Sequence, residues 1–109
     1  MKRLIAMLAA VAIVAAAIAV PAFAATKTVK VGPQRSFGPK SLSIKKGDTV
    51  KFQWTGSLPH DVAITKGPTK GTISKVRTKG SVSRKFTKAG SYTIVCHVHN
   101  GMTLKLKVS

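Results

Sequence analysis

The sequence predicts an all-β Greek-key sandwich of about seven to eight short strands, and three observations predict it. Segments in which apolar and polar residues alternate with period two recur along residues 25–109. Turn signals built from Gly, Pro, Lys and Ser separate them at roughly ten-residue intervals. No helical pattern of any length, internal repeat or low-complexity tract interrupts that range.

The chain opens differently. Met1-Lys2-Arg3 is a positive start, Leu4 to Val20 is an uncharged apolar run of 17 residues, and Pro21-Ala22-Phe23-Ala24 ends in a small-x-small site. This layout predicts a secretory signal over residues 1–24, cleaved after Ala24, with one domain over residues 25–109. An uncleaved anchor is the competing expectation. It is weakened because eight of the 17 residues are Ala and the run sits at the short end of the spanning range. Export implies a periplasmic, extracellular or cell-envelope protein.

The strands follow in order. Thr28 to Val31 sets Val29 and Val31 on one face, and Gly32-Pro33 breaks it. Leu42-Ser43-Ile44 alternates and runs into the turn Lys45-Lys46-Gly47-Asp48. Thr49 to Trp54 is the clearest half-buried strand, with Val50, Phe52 and Trp54 inward. After the loop Thr55–Pro59 comes His60 to Thr65, where His60 shares the phase of Val62 and Ile64 and therefore faces inward. Lys66 to Ser81 is expected as a long basic connection, tacked to the body by Ile73 and Val76. Val82 to Phe86 alternates imperfectly because Arg84 falls on the Val82 face. Ser91 to Cys96 turns Tyr92, Ile94 and Cys96 inward, and Thr103 to Val108 does the same with Leu104, Leu106 and Val108.

Charge and cysteine usage narrow the function. Of 109 residues, 19 are Lys or Arg and only Asp48 and Asp61 are acidic, for a net charge of +17. Losing Lys2 and Arg3 with the signal leaves +15 on 85 residues. Such a charge speaks to partners rather than fold. With an export signal, nucleic acid is not expected. An acidic protein or an anionic envelope surface is. The one cysteine, Cys96, has no partner for an internal disulfide, and a free thiol is a liability in an oxidising compartment.

Metal ligation accounts for that thiol. Cys96-His97-Val98-His99-Asn100-Gly101-Met102 packs a thiol, two imidazoles and a thioether into seven residues, and the third histidine of the chain is His60. Soft sulfur with imidazole nitrogen suits copper, and a trigonal His2Cys set with a weak axial Met describes an electron-transfer copper site. His60 and Cys96 point inward from strands that an antiparallel sandwich can set side by side. His99 and Met102 follow on a loop that Asn100-Gly101 lets bend sharply. His97, by strand phase, faces away from Cys96 and is expected at or near the surface.

The chain resembles the cupredoxins, the small blue copper proteins, and within them the plastocyanin and amicyanin branch. The resemblance is carried by Phe37-Gly38-Pro39 with Leu42-Ser43-Ile44, by Gly47-Asp48-Thr49-Val50, Trp54, Pro59-His60-Asp61-Val62 and Gly90-Ser91-Tyr92, and by the Cys96 loop. The Cys-x2-His-x2-Met spacing is similar to that of amicyanin. The resemblance implies one copper ion held by His60, Cys96, His99 and axial Met102. It also implies a type 1 (blue) copper protein that shuttles single electrons and is not an enzyme. Where relatives often carry Asn after the first histidine ligand, to tie the two ligand loops together, this chain has Asp61. An acidic redox partner is expected to dock on a monomer near His99, over an apolar rim of Leu58, Pro59, Gly101 and Met102. A copper-binding module for delivery, scavenging or storage is the alternative, although no Met- or His-rich tail favours it.

Overall fold

The computed structural model describes residues 23–109, and the charged and apolar parts of the expected secretory signal lie outside them. Nine strands form among the described residues: β1 (Thr26–Val31), β2 (Phe37–Gly38), β3 (Ser41–Ile44), β4 (Thr49–Trp54), β5 (His60–Lys66), β6 (Gly71–Arg77), β7 (Ser81–Lys85), β8 (Gly90–Val95) and β9 (Thr103–Val108). They make one sheet in the order β2-β1-β4-β7 and a second in the order β3-β9-β8-β5-β6. The chain passes repeatedly between the two sheets, so both are mixed: β1 runs parallel to β4, β3 runs parallel to β9, and the remaining pairs are antiparallel.

Alternation in the sequence becomes inward-facing side chains. Val29, Val31, Val50, Phe52 and Trp54 of the first sheet meet Ile44, Val62, Ile64 and Tyr92 of the second, with Ile94, Leu104, Leu106 and Val108 completing its inner face. All these residues are buried, and outward Lys residues keep the opposite faces wet. Tyr92 packs edge-on to Phe86 at 5.2 Å between ring centroids, and its hydroxyl donates to the Lys88 carbonyl at 2.7 Å. That bond satisfies the one polar atom of an otherwise buried ring.

Two expectations are corrected. The segment Lys66–Ser81 is not a plain connection, because it contains β6, the edge strand beside β5. Nor do Ile73 and Val76 both tack it down. Ile73 is half-buried, Val76 is 56% exposed, and Ser74 is buried. Register shifts between His60 and Ala63 turn neighbouring residues of β6 inward and erase the simple period. The buried Ser74 hydroxyl donates to the Lys75 carbonyl at 2.8 Å and accepts from Arg77 Nε at 3.2 Å.

The ladder decides where the chemistry sits. β5 begins at His60 and β8 ends at Val95, and these strands are antiparallel neighbours, with Ala63 opposite Val95. His60 and Cys96 therefore emerge at the same end of the sandwich. β4 also ends there, and Trp54 Nε1 donates to the His60 carbonyl at 3.0 Å. The starts of β1 and β4, paired through Thr26 and Thr49, lie at the opposite end.

Candidate metal centre

His60 is fully buried, as its inward phase requires. Trp54 fixes its carbonyl from one side, and the guanidinium of Arg77 lies 5.5 Å from the indole centroid on that ring's face. Gly32 approaches the imidazole from the other side. A Cβ on Gly32 would come 3.1 Å from His60 Nε2 and 2.6 Å from the Thr55 carbonyl oxygen, and its φ of 93° is one that only glycine adopts easily. Burial pushes the His60 pKa down, the nearby His99 ring adds to that, and Asp61 opposes it. The ring is therefore held neutral, the form that binds a metal.

Cys96 follows β8 and is 3% exposed. Its N–H donates to the Met102 carbonyl at 3.0 Å, and the Met102 N–H reaches back to the His99 carbonyl at 3.4 Å. These two bonds close the loop on itself through Gly101, whose φ is 78°. His99 is half-buried on that loop, and Met102 at its close is 1% exposed.

Three donor atoms converge. His60 Nδ1 and His99 Nδ1 are 3.1 Å apart, and Cys96 Sγ is 3.8 Å from each. A single atom in a flat triangle, bound at about 2.05 Å to nitrogen and about 2.3 Å to sulfur, spaces its donors about 3.6 Å and about 3.8 Å apart. The two edges to sulfur already have the second of these lengths, and the 3.1 Å edge between the nitrogens needs to open by only about 0.5 Å. His60 Nε2 is buried and lacks a hydrogen-bond partner among the described residues. The three donor atoms of His60, Cys96 and His99 lie within 4.8 Å of one another, and two imidazoles with a thiol are metal-binding chemistry, so the donor set fits a bound metal. Thiolate and thioether donors beside imidazole select copper over the harder cations.

His97 lies outside the triangle, as the strand phase predicts: its side chain is 62% exposed. It is nevertheless held. Asp61 Oδ1 accepts the His97 N–H at 2.6 Å, and Asp61 Oδ2 lies 2.8 Å from His97 Nδ1. Burial pushes the Asp61 carboxyl up, but the His97 side-chain and backbone hydrogen bonds outweigh it and hold the pKa below its ordinary value. One carboxylate thus joins the strand carrying His60 to the loop carrying Cys96 and His99. Spacing offers no pointer to this pair, whose partners are 36 residues apart; the pointer is the family resemblance, in which the residue at the position of Asp61 ties the two ligand loops.

The apolar rim differs from expectation in one member. Leu58 is half-buried, and Pro59 and Gly101 are exposed, but Met102 lies inside. Val98, 43% exposed, takes the outer position on the loop.

Residues 24–109 match the profile of a family described as copper binding proteins, plastocyanin/azurin family. The plastocyanin of Prochlorothrix hollandica is 32% identical over 113 aligned positions, spanning 92% of this chain and 86% of that protein. The chloroplast plastocyanin of Chlamydomonas reinhardtii is 33% identical over 96 positions, covering 77% of this chain and 66% of its own length. Among solved structures, an oxidised amicyanin variant superposes with a TM-score of 0.67 at 26% identity, over 80% of this chain and 90% of its own. A copper-containing nitrite reductase from Thermus scotoductus matches with a TM-score of 0.65 at 27% identity, but the likeness spans only 23% of that enzyme.

Proposed function

The chain belongs to the plastocyanin/azurin family of copper-binding proteins, its cofactor is copper, and from that premise we propose that it is an exported blue copper protein carrying single electrons between redox partners. The observation that carries this reading is the triangle of His60 Nδ1, Cys96 Sγ and His99 Nδ1, with edges of 3.1, 3.8 and 3.8 Å. We assign these three residues, together with Met102, as those that would hold the ion. Copper bound there would supply a one-electron couple between Cu(I) and Cu(II).

The protein's own contribution is to hold the donors still. His60 is fixed by Trp54 and Gly32, Cys96 and Met102 by the bond that closes their loop, and both ligand segments by Asp61. Donors that are already in place need little reorganisation when the metal charge changes by one. His60, Cys96 and Met102 are buried, so solvent is kept from three of the four donors. The half-buried His99 provides the path to the surface, within a rim of Leu58, Pro59, Val98 and Gly101.

That arrangement supports electron passage to a docked protein rather than turnover of a small substrate. With three histidines in the chain and two assigned as ligands, only His97 is free of the triangle, and it is engaged with Asp61. We read the likeness to the reductase as a shared domain and infer no enzymatic role. The partner we propose is an acidic redox protein approaching the His99 end of a monomer. A mature charge of +15 favours fast, weak association with such a surface.

The test is a redox titration of the copper-loaded protein against an acidic electron acceptor. The expected result is a reversible one-electron cycle with the metal retained through repeated turns. Loss of the ion to a copper-free acceptor protein, in place of electron passage, would replace the carrier reading with copper delivery.

A further inference from the structure

The end of the sandwich away from the metal centre holds the chain's other acidic side chain, Asp48. Asp48 is 7% exposed, and its two oxygens accept main-chain N–H groups from Ala25 at 2.9 Å and Lys45 at 3.0 Å. Its surroundings are fixed. The Asp48 N–H donates to the Lys45 carbonyl, the Phe86 N–H donates to the Asp48 carbonyl at 2.9 Å, and the Thr49 N–H donates to the Ala25 carbonyl at 2.9 Å. The Ala25 hydrogen bond is the largest influence holding the Asp48 carboxyl below its ordinary range, followed by that of Lys45.

Ala25 is also the residue directly after Ala22-Phe23-Ala24, the small-x-small site. The nitrogen held by Asp48 is therefore the one that cutting the Ala24–Ala25 peptide bond would release. In that hydrolysis a signal-type endopeptidase adds water across the amide. Ala24 leaves as a carboxylate, and the Ala25 nitrogen becomes a primary amine that is protonated at neutral pH. A neutral N–H donor on the Asp48 carboxylate becomes an ammonium donor at the same position.

We propose that Asp48 is a receptor for the α-ammonium group created by removal of residues 1–24, so that processing fastens the first strand of the sandwich. The inference rests on the export reading given above. A charge-assisted hydrogen bond is roughly twice as strong as a neutral one. Ala25 is exposed, so the other two ammonium protons face water. Lys27 on β1, Lys45 in the β3–β4 turn and Ser109 after β9 line the same cleft, and Asp48 is its one carboxylate side chain. The unprocessed chain lacks this cation. Its folded state is accordingly the weaker one until export is complete.

The pair has a defined pH window. An ammonium bound to Asp48 has its pKa raised above the unfolded value of about 7.7–8.0, so its contribution is complete below that value and is lost as pH rises through the folded pKa. On the acid side it is lost as pH falls through the depressed Asp48 pKa.

The test uses residues 25–109, which contain all nine strands and the core. This chain is prepared with a free α-amine and with that amine acetylated, and both forms are unfolded in urea. At pH 7 the free form should have a folding equilibrium constant roughly fivefold higher. The gap should fall below about twofold near pH 10.5 and also in an Asp48→Asn background at pH 7. Equal stability of the two forms at pH 7, or a gap that persists at high pH, overturns the proposal. If Asp48→Asn does not fold, the pH comparison on the unsubstituted chain decides it. Mass measurement of the exported protein separates the two premises. A terminus at Ala25 supports the processing step, and any other terminus overturns it, whatever the acetylation comparison gives.

Discussion

Replacing Asp61 by Ala should weaken the fold at the metal end specifically through the Cys96 loop. Asp61 is 13% exposed at its side chain, and it accepts two hydrogen bonds from His97. A hydrogen bond to a charged group contributes about 1.5–3 kcal/mol net. The His97 imidazole is 62% exposed, so water can replace its partner and that bond counts for little. The main-chain bond remains, and Asp61→Ala should cost about 1.5–2 kcal/mol in the metal-free protein. For a domain of this size each kcal/mol moves the thermal midpoint by about 4–8 °C, which predicts a drop of roughly 6–16 °C. Asp61→Asn keeps an oxygen for the His97 N–H and loses the charge, so it should fall between the two. The pH dependence carries the sign. Because the folded pKa of Asp61 is depressed, its contribution is present above the unfolded value of about 3.9 and is lost as pH falls through the folded pKa. The stability gap between the unsubstituted protein and the Asp61→Ala variant should therefore be full at pH 7 and close on acidification. Urea unfolding at several pH values, with m unchanged, measures it. A gap below about 0.5 kcal/mol at pH 7, within the usual surface range, would refute the reasoning. So would a gap that stays constant into acid.

Leu104→Ala removes a fully buried side chain from near the start of β9 and should cost about 3–4 kcal/mol in urea unfolding, as buried Leu truncations do. Gly32→Ala places a Cβ 2.6 Å from the Thr55 carbonyl oxygen and 3.1 Å from His60 Nε2. It should lower stability by about 1 kcal/mol or more, and a competition titration should show weaker copper binding because His60 must shift. The rate of reaction with an acidic acceptor should fall steeply with added salt, since attraction between exposed charges is screened beyond about 8–10 Å at physiological ionic strength. A flat dependence in stopped-flow mixing would count against steering.

How much of this was legible beforehand depends on how local each signal is. β4 and β9 match the expected Thr49 to Trp54 and Thr103 to Val108 because each carries an unbroken period of two over a half-buried face. The three residues of the donor triangle were legible for the same reason: phase turned His60 and Cys96 inward, and a seven-residue loop left His99 little freedom. β2 spans two residues, too few to show a period, and β6 is masked by the register shifts that turn Ser74 inward and Val76 outward. The Asp61–His97 tie joins distant strand ends through the β5–β8 pairing, and no spacing rule reports it; the resemblance alone points to a loop-tying role at Asp61, without naming His97 as its partner. Met102 is expected both as a metal donor and on the rim, and its burial excludes the second. Its main-chain bonds to Cys96 and His99 draw it inside, and Val98 is left outside.

The most direct measurement is the spectrum of the purified protein loaded with Cu(II). If Cys96 Sγ and the two Nδ1 atoms hold one copper ion, thiolate-to-copper charge transfer should give an intense visible band, accompanied by a narrow copper hyperfine splitting in EPR. Cys96→Ser should abolish both signals, and His97→Ala should leave both in place. A colourless Cu(II) protein, or a band that survives Cys96→Ser, would contradict the assignment of the triangle as a blue copper centre.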